Sequence, residues 1–214
     1  MRIGVLALQG AFREHLKALS DEGAEGVVVR LPGQLRGLDA LIIPGGESTT
    51  IGKLGGLYGF LPAIRGFADL GRPIWGTCAG LILMARDLIG CNEQPSLDLL
   101  DVRVRRNAFG RQVDSFVTLL PVAALDHVAR REERGQPFPA VFIRAPSIEA
   151  AGNGVQVLAR LDENHIVAVQ QGVLLATAFH PELTTDRRFH RYFLCLAGYG
   201  DALNDWVTAC PPGE

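Results

Sequence analysis

Cys78 stands at the centre of Gly76-Thr77-Cys78-Ala79-Gly80, between the apolar runs Pro73-Ile74-Trp75 and Leu81-Ile82-Leu83-Met84. A strand pattern, a sharp turn of small residues and then a helix pattern make a nucleophile elbow, with sulfur at its apex. Such a turn needs unusual dihedrals and close backbone neighbours, which glycine permits. The helix start adds unpaired N–H groups and the positive end of a dipole, which favour a thiolate and can hold a developing oxyanion. A nucleophilic thiol also needs a base. Of His15, His127, His165, His180 and His190, only His180 ends an apolar strand pattern, running from Val173 to Phe179. Pro181 then fixes Glu182 in rigid relation to the imidazole. The two motifs together predict a Cys78–His180–Glu182 triad.

The remaining histidines and cysteines have plainer readings. His15 and His190 fall in charge-rich helical patterns and are expected on solvated faces. His127 is expected on a surface loop, and His165 beside a hairpin turn at Asp162-Glu163-Asn164. Cys91, Cys195 and Cys210 are expected to be structural or incidental.

Pro44-Gly45-Gly46-Glu47-Ser48-Thr49-Thr50 follows the short strand pattern Leu41–Ile43 and opens a helix, with Ser48 or Thr49 available as N-cap. Beside an elbow it reads as an oxyanion loop, in which the N–H groups of Gly46 and Ala79 meet one substrate carbonyl oxygen. Taken alone it reads more readily as a Gly-Gly turn that needs positive φ. A phosphate loop is disfavoured, because the chain has neither GxGxxG nor a GK[ST] ending.

These residues need a scaffold, and the hydrophobic periodicity supplies one. Ile3–Leu8, Val27–Arg30, Leu41–Ile43 and Ile74–Trp75 read as buried strands. Helical patterns lie between them, the first with Phe12, Leu16 and Leu19 on one face, another mostly helical over Leu57–Leu70. This alternation predicts an α/β fold with a mostly parallel central sheet covered on both faces. From about Leu99 the strands become shorter and more polar (Val102–Arg105, Phe116–Leu120, Ala140–Ile143, Val155–Leu161, His165–Val169), which predicts an antiparallel extension. A last helix is expected over Asp186–Leu203. One domain, 1–203, is expected, followed by a C-terminal tail, 204–214.

Composition excludes several classes. A net charge of −2 gives no reason to expect nucleic-acid or anionic-membrane binding. The N-terminal apolar run is too short to span a membrane and has no cleavage pattern. Four cysteines without CxxC spacing argue against a zinc site and a disulfide scaffold, and fit a reducing cytoplasm.

GTCAG with a distant HPE resembles the class I, triad-type glutamine amidotransferases. Within them Leu8-Gln9-Gly10-Ala11, the run Pro44–Thr50, the run Arg106–Phe116, Phe142-Ile143-Arg144-Ala145-Pro146 and Phe179–Thr184 resemble the glutaminase subunit of pyridoxal 5′-phosphate synthase. The resemblance covers Arg2 to about Ala197. It implies a three-layer, flavodoxin-like fold and hydrolysis of L-glutamine through a γ-glutamyl thioester on Cys78. His180 would be the base, with a pKa near the working pH, and Glu182 would orient it. It further implies glutamine binding by Gly46, Glu47, Ser48, Arg106, Ile143 and Arg144, and no metal or cofactor. Ammonia would pass to a separate synthase subunit, whose docking rearranges the oxyanion loop, with Gln9 placed to sense it. An amidotransferase subunit of another biosynthetic synthase and a flavodoxin-like cysteine hydrolase are the alternatives. The segment His127–Pro139 is longer than the family pattern leads one to expect and reads as a solvated loop insertion.

Overall fold

The computed structural model describes residues 1–90, 94–108 and 115–199. The short apolar runs become the parallel strands β1 (Arg2–Leu6), β2 (Glu25–Val29), β3 (Ala40–Ile43) and β4 (Ile74–Thr77). They are joined in the sheet by the much later β12 (Leu174–Thr177), in the order β2-β1-β3-β4-β12. Every residue of β3 and β4 is buried, as expected of strands covered on both faces.

Beyond β12 the sheet turns antiparallel, as predicted. β11 (Ile166–Gln171), β9 (Ser147–Ala151) and β6 (Leu100–Arg105) follow in that order. β5 (Ala85–Ile89) lies parallel on the outer edge, and β10 (Gln156–Arg160) also pairs with β11. β7 (Ser115–Leu120) and β8 (Phe138–Ile143) form a separate ribbon. Its inner rings, Phe116 and Phe142, stack with centroids 4.7 Å apart.

Two strands are not apparent in the sequence. β5 begins immediately after α4 (Ala79–Met84), the elbow helix, which stops after six residues. β9, Ser147-Ile148-Glu149-Ala150-Ala151, has little intrinsic β preference and is recruited by register pairing to β6.

Trp75 and Gly76, neighbours on β4, show the layers, since successive strand residues face opposite sides. The Trp75 ring meets His15 of α1 (Phe12–Asp21) at 5.6 Å, and His190 and Phe193 of α5 (Arg188–Leu196) at 5.0 and 5.5 Å. On the other side Gly76 abuts α4: a Cβ there would stand 2.5 Å from the Gly80 carbonyl carbon. α2 (Ser48–Leu57) and α3 (Phe60–Asp69) complete the helices. They are separated at Gly59, whose φ of 74° breaks what reads as one helical stretch. Positions 200–203 of the expected last helix, the tail 204–214, Cys91 and Cys210 lie outside the described residues. Cys195, expected to be structural or incidental, is disulfide-bonded, although the cysteine spacing argued against a disulfide scaffold.

The segment His127–Pro139 exposes His127, Arg131, Glu132 and Arg134–Gln136, as a solvated loop would, but it is also anchored to the fold. Arg188 and Arg191 of α5, only 2% and 4% exposed, reach into it. Arg188 donates to the carbonyls of Gln136 at 2.7 Å and Pro137 at 3.1 Å, and Arg191 Nη2 meets both Glu133 oxygens at 2.7 Å. Two guanidinium groups so nearly buried require such partners, and the charged run supplies a carboxylate and main-chain carbonyls. The insertion is therefore a clamp on α5.

Among the described residues no helix is long and apolar enough to cross a membrane, and no group of three or more His, Cys, Asp or Glu is placed to hold a metal ion.

Candidate active site

Cys78 lies between β4 and α4 with φ 48° and ψ −100°, and its N–H donates to the Thr177 carbonyl of β12 at 2.8 Å. Small neighbours make this turn possible. A Cβ on Gly80 would overlap the Ile43 carbonyl oxygen, so β3 and the elbow can approach only with glycine there. Asn107 (φ 48°) and Arg144 (φ 42°) share the unusual backbone region, and both belong to segments predicted to line the site.

β12 sets the base beside the nucleophile. It pairs with β4 through Thr177 opposite Thr77, and three residues later His180 N–H is held by the Val141 carbonyl of β8 at 2.8 Å. The following 3-10 turn, Pro181–Leu183, folds Glu182 back so that its Oε1 lies 2.7 Å from His180 Nδ1. Burial works against a charge on His180. Its hydrogen bonds to Cys78 and Glu182, with the negative charge of both, outweigh burial and push the imidazole up to about 10. The expectation from the family resemblance was a value near the working pH. Burial likewise pushes Glu182 up, but the hydrogen bond and charge of the His180 imidazolium hold it below its usual range. α4 is less than two turns long, so the charge opposite the sulfur comes chiefly from His180 rather than from the helix end.

His15 and His190 are not on solvated faces. Both are fully buried behind the triad. His15 Nε2 lies 3.4 Å from Glu182 Oε2 and 3.3 Å from Thr77 Oγ1, and His15 Nδ1 lies 3.1 Å from His190 Nε2. Their spacing carried the signal: His15 is at i+3 in the stripe Phe12, Leu16, Leu19, and His190 precedes Phe193 and Leu194 by three and four. His127 is exposed and His165 caps its turn through Asp162 at 2.8 Å, both as expected.

The Pro44–Thr50 loop passes over the triad. Gly45 donates its N–H to Thr77 Oγ1 at 2.9 Å and accepts from Ala11 N–H at 3.1 Å. Gln9 Oε1 accepts from Glu47 N–H at 2.7 Å, so the end of β1 pins the loop. The N-cap of α2 is Glu47, not Ser48 or Thr49, because its longer carboxylate reaches the N–H groups of both Thr49 and Thr50. Glu47 also lies 3.5 Å from Arg106, and Arg106 Nη1 donates to Gln94 Oε1 at 2.8 Å. Ser48 Oγ is 3.5 Å from the same Gln94 oxygen, and Gln94 Nε2 is buried without a partner among the described residues. Gln94 thus meets two of the residues expected to bind glutamine, though no sequence motif indicated it. Ala108 N–H bonds the Ala145 carbonyl at 3.1 Å, tying the Arg106 segment to the Ile143-Arg144 segment that leaves β8. These contacts join Cys78, His180 and Glu182 to the Gly45–Glu47 loop, and Glu47 in turn to Gln9 and Arg106. A surface cavity of about 600 Å³ on the antiparallel extension, lined by Arg86, Asp87, Asp98, Asp101 and Arg103 among others, contains none of them.

Residues 5–197 match the SNO glutamine amidotransferase family. The chain belongs to that family. The amidotransferase is 54% identical over 198 residues to the pyridoxal 5′-phosphate synthase subunit PdxT of Dehalococcoides mccartyi (strain ATCC BAA-2266 / KCTC 15142 / 195), covering 92% of this chain and 97% of the relative. It is 54% identical to the protein of the same name from Moorella thermoacetica, covering 92% and 100%. A crystal structure of a glutamine amidotransferase superposes on the amidotransferase with a TM-score of 0.83 at 52% identity, covering 92% and 98%. A more distant structure, PurLQS from Thermotoga maritima, shares the fold at TM-score 0.63 and 18% identity, covering 91% and 97%.

Proposed function

We propose that this amidotransferase is the glutaminase subunit of a pyridoxal 5′-phosphate synthase, acting in the cytoplasm as one catalytic domain running to about residue 203. The observation that carries the reading is the hydrogen-bonded chain Cys78–His180–Glu182 with the 45–47 loop across it. The names of the relatives support the choice of synthase.

The chemistry follows from the charges. With the proton on His180, the Cys78 sulfur attacks the side-chain carboxamide carbon of glutamine, and the N–H groups of Gly46 and Ala79 take the oxyanion. Collapse breaks the C–N bond, and His180 delivers its proton to the departing ammonia. Thioester formation removes the sulfur's negative charge, so His180 loses one of the influences that raise it and gives up that proton more readily. Neutral His180 then draws a proton from water, which attacks the thioester and releases glutamate. Glutamine is held by Gly46, Glu47, Ser48, Arg106, Ile143 and Arg144. No metal takes part. Ammonia passes to a synthase subunit docked over the loop, and the Gln9 side chain, which pins Glu47, senses that docking.

Glutamate release should therefore rise several-fold or more when the synthase subunit is added to the purified chain. Equal turnover with and without it would refute the coupling. No release in either condition, with the complex shown to form, would sink the glutaminase reading.

Glu182→Gln removes a charge that raises His180, so the imidazolium is lost at lower pH. The expected basic limb of kcat/KM, near pH 10 in the parent, moves toward the ordinary imidazole range, and kcat falls by at least about 100-fold. A pH profile of both proteins checks this, and an unmoved limb would show that Glu182 does not set the base.

A further inference from the structure

Glu182 uses one oxygen on His180 and leaves Oε2 buried without a close hydrogen bond among the described residues. An ionised carboxylate so placed is costly unless a donor faces it. His15 Nε2, 3.4 Å away, is such a group, and it stands equally near Thr77 Oγ1, which receives the Gly45 N–H of the oxyanion loop. We propose that His15 is a positioning residue: its Nε2–H, shared between Glu182 Oε2 and Thr77 Oγ1, fixes the triad carboxylate and ties it to the oxyanion loop. This inference rests on the triad reading above.

The direction of the proton follows from elimination. Only an Nε2–H on His15 offers Glu182 a donor, since a bare Nε2 would set a lone pair against the carboxylate. His15 Nδ1 must then accept, and His190 Nε2 is the donor 3.1 Å from it. That leaves His190 Nδ1, buried and without a partner among the described residues, as an empty acceptor rather than a stranded N–H. Both rings stay neutral, because burial lowers both, and for His15 the charges of His180 and Arg187 add to burial against the pull of Glu182 and Glu14. The relay runs His190 to His15 to Glu182 to His180 to Cys78, from α5 across α1 to the elbow. Through α5 the clamp of residues 127–139 bears on it as well.

Two measurements on the full chain decide the matter. Long-range 1H–15N NMR of the parent protein near pH 7 should find His15 protonated on Nε2 alone; protonation on Nδ1, or on both nitrogens, overturns the proposal without any variant. His15→Leu and His15→Gln are then assayed for glutamate release with the synthase subunit present. A side chain misplaced by about 1 Å can cost roughly 100-fold, so His15→Leu should lose about 10-fold to 100-fold in kcat with KM within about twofold. His15→Gln, whose amide can reach the Nε2 position, should recover a large part of the loss. A folded His15→Leu with parental kcat, or a Gln variant no better than Leu, refutes the positioning role. If His15→Leu does not fold, His190→Phe, which removes the donor to Nδ1, takes its place with the same expected loss. Absence of release by the parent itself would count against the glutaminase reading and leave the tautomer result standing on its own.

Discussion

Cys78→Ala is expected to end glutamate release, with a loss of roughly 10⁴-fold or more, and to leave the fold intact. The nucleophile has no substitute: Cys78 is the free cysteine among the described residues, and the hydroxyl of neighbouring Thr77 is turned into the Gly45 and His15 contacts. The alanine still carries a Cβ at φ 48°, a conformation that costs on the order of 1–3 kcal/mol in a non-glycine residue. Cys78→Gly should be equally inactive yet more stable than Cys78→Ala, because glycine relieves that strain. Thermal unfolding of the two inactive variants tests this. A glycine variant less stable than the alanine variant would show that the elbow holds no strain.

Gly45→Ala carries the second large effect. The added Cβ would overlap His180 Cε1, stand 2.8 Å from Nδ1 and lie 3.3 Å from the Cys78 Cβ. Relief must come from one of two movements. Either His180 swings away and strains the 2.7 Å bond to Glu182, or the loop lifts and gives up its bonds to Thr77 and Ala11. Both damage the catalytic geometry. We expect kcat to fall by about 100-fold or more, with a stability cost of about 1–3 kcal/mol from overpacking. Glutamate release and denaturant unfolding measure the two parts, and a variant with parental kcat would mean that the loop does not bear on the base.

The candidate catalytic residues stand out in the sequence because each combines a reactive group with a local backbone demand. Glycines flank Cys78, a proline follows His180, and two glycines precede Glu47, so spacing along the chain alone marks them. The parallel half of the sheet was legible for a related reason, since its strands are continuous apolar runs. What escaped notice depends on distant pairing. His15 and His190 stand among Arg13, Glu14, Lys17, Arg187, Arg188 and Arg191, and charge density hid a helical stripe that in fact faces inward. The charged run 130–134 is largely solvated, and that Glu133 within it anchors α5 shows only once Arg188 and Arg191, more than fifty residues later, are seen to be buried against its segment. Gln94 sits in no motif at all, and its meaning comes only from Arg106 and Ser48. β9 takes its form from β6 rather than from its own residues.

The place of β12 in the sheet has a consequence for how the protein comes into being. Trp75 and Thr177, hydrogen-bonded across adjacent strands, are 102 residues apart in the chain. A nascent polypeptide that has completed β1 to β4 exposes one long side of β4 until β12 is synthesised and enters between β4 and β11. Closing so distant a contact is slow compared with local folding. The thiol is therefore made first and left without its base, and competence to split an amide arrives only with the final strand of the sheet.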